Sequence, residues 1–261
     1  MRPNKVKRAL RQGGVSIGTM SFEFCTDGLA RLAAGAGAEF VIFDMEHTGW
    51  SVETIRALIA ASRSADLASF VRVPATQYHF IARVLDMGAQ GIMVPMVQDQ
   101  EQAQLIVQSA KYPPVGQRGA AFGVAHDDFS DGDVVAKMRS ADEELLLIAQ
   151  IESPRAVDNA ERIASVEGID VLWIGQFDLS NFSGIPGQFD HPLFRRSVER
   201  VVEAARRHHK AAGYMVGSVE EGSRLLKQGF RCLAYWGDLW LYKQALRQGI
   251  EGLRASVWQR G

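Results

Sequence analysis

The sequence predicts a closed (β/α)8 barrel of the TIM type, and three observations carry that expectation. Eight short runs are almost continuously apolar, as strands buried on both faces of a parallel sheet must be. Longer amphipathic stretches separate them, so strand and helix alternate along the chain. The length of 261 residues matches the roughly 250 that such a barrel uses.

In chain order, a short helix at Lys5–Leu10 is expected to cover the barrel floor. The runs read as strands are Val15–Thr19, Phe40–Asp44, Ala68–Val73, Gly91–Val94, Leu145–Ile151, Val171–Ile174, Gly213–Val216 and Cys232–Tyr235. Helical periodicity between them is clear at Val52–Ser64, Gln100–Ala110, Pro154–Val166 and Phe194–His209. A C-terminal helical extension follows the last strand. The structural rival is a doubly wound open sheet, which would carry a glycine-rich phosphate turn after its first strand. Here that turn reads Thr19-Met-Ser-Phe-Glu-Phe24. Nothing splits the chain, so residues 1–261 read as one barrel domain. The one long connection, Lys111 to Asp133, has the length of a lid or binding loop.

Composition narrows the function. A formal charge of −1 leaves no basic footprint for nucleic acid or an anionic membrane. No run of about 18 apolar residues is present. The basic start leads into no apolar segment, so no secretory signal is expected. Cys25 and Cys232 are the two cysteines, a usage that fits a reducing cytoplasm.

Barrel chemistry sits at the C-terminal ends of the strands. The second strand ends Phe43-Asp-Met-Glu-His47, the third Val71-Arg-Val-Pro74 and the fifth Gln150-Ile-Glu152, while the sixth runs into Gly175-Gln-Phe-Asp178. Glu152 and Asp178 are hard oxygen donors one βα unit apart, which suits Mg2+ or Mn2+ with positions left for water and substrate. The competing reading makes either acid a cap of the helix that follows. His47 lies three residues after Asp44, within reach of a carboxylate that would orient it as an acid or base; a hydrogen-bonded loop histidine is the alternative. Arg72 in an apolar strand needs a carboxylate or an anionic substrate. His126, Asp127 and Asp128 in the long loop, His208-His209 at a helix end, and the Tyr235, Trp236, Trp240 and Tyr242 aromatics carry weaker signals.

Seven stretches together resemble one family. They are Phe43-Asp-Met-Glu-His47, Val71-Arg-Val-Pro74, Leu85-Asp-Met-Gly-Ala-Gln-Gly91, Val94-Pro-Met-Val-Gln98, Tyr112-Pro-Pro-Val-Gly-Gln-Arg-Gly119, Gln150-Ile-Glu152 and Gly175-Gln-Phe-Asp-Leu-Ser180. In this order and spacing they are similar to the HpcH/HpaI class II pyruvate aldolases, the 4-hydroxy-2-oxoacid (2,4-dihydroxyhept-2-enedioate type) enzymes. The resemblance implies a carbon–carbon lyase working through a metal-bound pyruvate enolate. It implies Glu152 and Asp178 as ligands of one divalent ion (Mg2+ or Mn2+, with Co2+, Ni2+ or Zn2+ as further fits). It also implies Arg72 facing the keto oxygen and its enolate, Gln150 beside the site, and the Gly175, Gln176 and Phe177 backbone on the carboxylate. His47 would be the acid–base residue, set by Asp44 and by Asp86 from a neighbouring subunit. The implied partners are a small-molecule substrate and further copies of the chain, in a hexamer built from trimers. Two departures stand out: Gln176 occupies the family's usual proline position, and Ala234-Tyr-Trp-Gly-Asp238 replaces a run of small residues.

The rival chemistry is a lysine Schiff base. The seven lysines (5, 7, 111, 137, 210, 227 and 243) all fall outside the strand ends, which disfavours it. A CoA-thioester lyase of the malyl-CoA or citramalyl-CoA type, an oxaloacetate decarboxylase and a non-catalytic acid-binding barrel are the alternative functions.

Overall fold

The computed structural model describes residues 2–258. Its elements run α1 (Lys5–Arg11), β1 (Ser16–Ser21), α2 (Gly28–Gly35), β2 (Phe40–Asp44), α3 (Val52–Ser64), β3 (Ala68–Arg72), α4 (Tyr78–Asp86), β4 (Gly91–Val94), α5 (Gln100–Ala110) and α6 (Val134–Glu144). They continue β5 (Leu146–Ile151), α7 (Pro154–Asp158), α8 (Ala160–Ala164), β6 (Val171–Ile174), α9 (Gln176–Phe182), α10 (Pro192–Arg207), β7 (Ala211–Val216), α11 (Val219–Lys227), β8 (Phe230–Gly237) and α12 (Asp238–Trp258). The eight strands are parallel and close in sequence order, β8 pairing back onto β1. The expected TIM barrel is the fold. Among the described residues no helix is long and apolar enough to cross a membrane.

Helix starts follow local chemistry. Ser51 accepts the Thr54 N–H and Asp99 the Gln102 N–H, caps that fix where α3 and α5 begin. Two expectations need correction. The segment Pro154–Val166 is two helices, because Asn159 leaves helical geometry (φ −96°, ψ 4°) and its side chain donates to Gln98 O at 2.9 Å. The last two strands reach further than their apolar runs, since Ala212 pairs with Phe230 and Met20 with Gly237; neighbouring strands, not side-chain type, set their ends.

Side chains alternate along each strand. Phe40 and Ile42, Ala68 and Phe70, Leu146 and Ile148, and Val171 and Trp173 fill the barrel interior. Their neighbours Val41, Phe43, Leu147, Ala149 and Leu172 face the helices. The inward parity therefore carries on to Asp44, Arg72, Gln150, Glu152 and Gly175 at the strand ends.

The opposite end is closed by α1. Its Val6 and Leu10 join the interior cluster. Lys7, 1% exposed, reaches Leu145 O and pairs with Asp170 at 2.8 Å.

Candidate active site

Asp44 and Arg72 stand directly opposite in the β2–β3 register. Asp44 is fully buried, and its Oδ1 takes the Arg72 Nε–H at 2.5 Å. Arg72 Nη1 lies 3.1 Å from Glu46 Oε2, and the guanidinium carbon sits 5.6 Å from the centre of the Phe22 ring. The buried guanidinium is thus charge-compensated and aimed, as sequence reasoning required of it.

The same carboxylate of Asp44 shapes the next turn by accepting the N–H of Glu46 at 3.1 Å and of His47 at 2.9 Å. This differs from the expected arrangement. Asp44 grips the backbone of His47, and the carboxylate near the imidazole is Glu46, 3.6 Å from Nε2. With both Asp44 oxygens used by Arg72 and the turn, the His47 ring, 57% exposed, lies at the open rim.

Across the mouth, Glu152 is 2% exposed. Its Oε1 accepts the Met96 N–H at 2.5 Å, and its Oε2 accepts from Gln150 Nε2. Gly175 lies so close that a Cβ there would fall 2.3 Å from Glu152 Oε2. Asp178, in the first turn of α9, is partly exposed. His47, Arg72, Gln150, Gly175, Gln176, Phe177 and Asp178 all line one cavity of about 510 Å3 at the barrel mouth. Gln176 is buried and spends its amide on Met215 O at 3.0 Å, while Phe177 is exposed at the rim against Phe189.

Burial pushes the Glu46 carboxyl up to about 7; Arg72 opposes this, while Asp44 and Asp178 add to it. Glu152 is also pushed up to about 7 by burial, with the Met96 N–H and Gln150 opposing and Glu46 and Asp178 adding. Four carboxylates, Asp44, Glu46, Glu152 and Asp178, therefore share one field at the mouth, an environment in which a cation relieves mutual repulsion. Among the described residues, Gln150 Oε1 is buried without a hydrogen-bond partner and Glu46 Oε2 is buried with only its ionic contacts to Arg72 and His47, and no group of three or more His, Cys, Asp or Glu forms a metal cage. Glu152 and Asp178 are carboxylates near enough for the charge of Asp178 to act on Glu152. Such a pair fits an oxygen-loving divalent ion that keeps water and substrate in its other positions.

A family model described as HpcH/HpaI aldolase/citrate lyase matches residues 25–243. The chain belongs to that family. A 2-keto-3-deoxy-L-rhamnonate aldolase of Salmonella gallinarum is 34% identical over 243 residues, covering 93% of this chain and 90% of the relative. One of the same name from Escherichia coli K12 is 33% identical over 247 residues, with 95% and 92% covered. The crystal structure of an HpcH/HpaI aldolase from Desulfitobacterium hafniense DCB-2 superposes with a TM-score of 0.92 at 30% identity, over 95% of this chain and 96% of that one. This protein is accordingly an enzyme, a carbon–carbon lyase of the aldolase type.

Within this HpcH/HpaI aldolase, Asp86 stands apart from the cavity. It ends α4, and its Oδ1 takes two bonds from the buried Arg118, at 3.2 Å from Nε and 2.6 Å from Nη2. His126 and Asp127 are buried in the long loop rather than solvated; Asp127 pairs with Lys137 at 2.7 Å. Lys7, the most buried lysine, lies at the barrel floor, opposite the mouth. Two groups escaped sequence reasoning. Glu46 was passed over although it shares the parity of Asp44. Asp238, 7% exposed, accepts from Ser21 Oγ and from the N–H groups of Phe22, Glu23 and Phe24; no local signal marks a contact spanning more than 210 residues.

Proposed function

We propose that this aldolase cleaves and forms 4-hydroxy-2-oxo acids through a pyruvate enolate. Glu152 and Asp178 would hold one divalent cation, Mg2+ or Mn2+ in the first instance, with Co2+, Ni2+ or Zn2+ as substitutes. The observation that carries this reading is the buried, Asp44-held guanidinium of Arg72 in one cavity with Asp178, with Glu152 bonded to the cavity-lining Gln150 behind it. When bound, the cation supplies Lewis-acid stabilisation of charge developing on the substrate oxygens.

The chain's own groups account for the rest. The first N–H groups of α9, at Gln176 and Phe177, have no intrahelical acceptor and so suit the substrate carboxylate. His47 Nε2 takes the C4 hydroxyl proton as the C3–C4 bond breaks. The bonding pair becomes the enolate, whose oxygen accepts hydrogen bonds from Arg72. The aldehyde leaves, and His47 returns the proton to C3 to give pyruvate. Gln150 sits beside the site, and the Glu46 carboxylate lies 3.6 Å from the imidazole Nε2.

The relatives' named substrate, 2-keto-3-deoxy-L-rhamnonate, is a 2-oxo acid of the kind this chemistry requires. The test is pyruvate release from a panel of 4-hydroxy-2-oxo acids with chelator and with each metal restored, alongside metal analysis of Glu152→Ala and Asp178→Ala. Turnover that survives chelation, or full metal occupancy in either variant, would refute the assignment. Turnover that depends on CoA would favour the thioester-lyase alternative.

The whole chain, residues 1–261, acts as one barrel domain in this reading, and it works as a homo-oligomer, a hexamer of trimer-based design. Support comes from α12, whose exposed Tyr242, Leu246, Ile250 and Leu253 recur at helical spacing, and from Val15 and Ile17, apolar and more than 40% exposed on the barrel wall. Asp86, with one oxygen held by Arg118, would complete a neighbour's site. The exposed thiol of Cys25 suits a reducing cytoplasm. Light scattering on the full chain would give the subunit number.

A further inference from the structure

We infer that the acceptor side of this cavity selects an apolar aldehyde, aliphatic or aromatic, over a polyhydroxylated one. The inference rests on the aldol reading above and names the class of aldehyde that reading leaves open.

The cavity has two unlike sides. Arg72, Gln150 and Asp178 make one. Phe22, Met215, Leu239 and Trp240 make the other, with Phe177 at the rim. The polar groups behind the second side are already committed. Gln176 Nε2 donates to Met215 O at 3.0 Å. Trp236 Nε1 donates to Gly217 O. Thr19 Oγ1 donates to Tyr235 O and Trp236 O at 3.1 and 3.2 Å. The Asp238 carboxylate is filled by Ser21 Oγ and by the N–H groups of Phe22, Glu23, Phe24 and Leu239. Glu23, exposed at the rim, is the one carboxylate lining this side. A hydroxylated chain placed here would surrender its water and find acceptors only in the Glu23 carboxylate and the Gln176 side-chain carbonyl oxygen, fewer than its hydroxyl groups require. An alkyl or aryl group would leave water with nothing to lose.

The wall is built, not incidental. Asp238 pins the turn that carries Phe22. The Phe22 and Trp240 rings meet edge to face at 4.9 Å. They meet over Gly237, where a Cβ would fall 2.8 Å from both. Trp236, held at a φ of +51°, lies 5.8 Å behind Trp240. A non-glycine residue in that region is maintained only by surroundings that over-determine it. The wall also begins next to the chemistry, since Phe22 lies beside Arg72. The substituent on the aldehyde carbon therefore meets aromatic surface directly.

The test is addition of pyruvate to an aldehyde panel by the Mn2+-loaded full-length enzyme, comparing propanal, hexanal and benzaldehyde with lactaldehyde and glyceraldehyde. Rates are expressed per free, unhydrated aldehyde. Exchange of the pyruvate methyl protons with solvent deuterium is followed in the same samples, because it needs the enolate and no aldehyde. The expected result is exchange together with a kcat/KM for the apolar aldehydes about 10- to 100-fold above that for glyceraldehyde, a ratio that shrinks in Trp240→Asn. Saturation-transfer NMR should show benzyl alcohol, but not glycerol, contacting the enzyme, a readout that needs no turnover. Exchange with equal or better use of the hydroxylated aldehydes would overturn the inference and leave the aldol reading standing. Absence of exchange with every metal would overturn both.

Discussion

Gly175→Ala is the sharpest probe of the mouth. The backbone there (φ −86°) accepts any residue, so the whole effect comes from one methyl group. Its carbon would lie 2.3 Å from Glu152 Oε2, 2.8 Å from Gln150 Nε2 and 2.9 Å from Glu152 Cβ. Carbon and oxygen are comfortable from about 3.4 Å, so the carboxylate must retreat by roughly 1 Å. It cannot simply swing, because Met96 N–H holds its other oxygen at 2.5 Å. If Glu152 holds the cation as proposed, a displacement of that size should lower turnover by on the order of 10²-fold, or about 3 kcal/mol of transition-state stabilisation. Overpacking should lower stability by about 1–3 kcal/mol, which leaves the barrel folded. Calorimetric Mn2+ titration, steady-state cleavage and a circular-dichroism melt on one preparation separate these effects. A folded variant with wild-type metal affinity and turnover would show that the Glu152 position is irrelevant to the site.

Three further outcomes follow from geometry. Arg72→Lys keeps a charge but loses the fork that bonds Asp44 and faces Glu46, so under the proposed enolate role kcat should fall on the order of 10²-fold; near-native turnover with normal deuterium exchange would remove Arg72 from the mechanism. His47→Ala should cripple aldol cleavage more than oxaloacetate decarboxylation, which has no hydroxyl proton to remove, and equal losses would make His47 a structural residue. Burial lowers the Lys7 ammonium to about 8 against the opposing pull of Asp170. The unfolded chain therefore binds more protons between pH 8 and 10.5, and wild-type stability should rise across that window relative to Lys7→Met. The interval amounts to about 3 kcal/mol at most, read from urea titrations at pH 7.5 and 10; parallel profiles would mean that the amine carries no burial penalty.

Period-two alternation explains why much of the site was readable before any coordinates. Once Phe40, Phe70 and Ile148 are inside, Asp44, Arg72 and Gln150 have nowhere to point but the mouth. Asp178 was readable by a different route, from its place one turn beyond a strand end. The same parity extends to Glu46, two residues past the end of β2, where the turn rather than the strand sets its direction. Hydrogen bonds are harder. Whether Asp44 holds the ring or the backbone of His47 depends on how tightly residues 44–47 turn, and the residue types allow both. Helical periodicity runs straight through Asn159 and hides the break that Gln98 O stabilises. Asp238 lies beyond local reasoning entirely, because its partners sit at the other end of the chain.

Asp238 also joins two parts of the molecule that seem unrelated. It is the first residue of α12, the long helix that leaves the barrel with an exposed apolar stripe, and its carboxylate is the clamp on the Phe22 turn. Whatever grips the far end of that helix holds the handle of a lever about 30 Å long, whose short arm ends at the aromatic wall. Asp238 thus ties the start of the helix to Phe22, which lies beside Arg72. A second copy docked on α12 would press on the helix whose first residue holds the Phe22 turn.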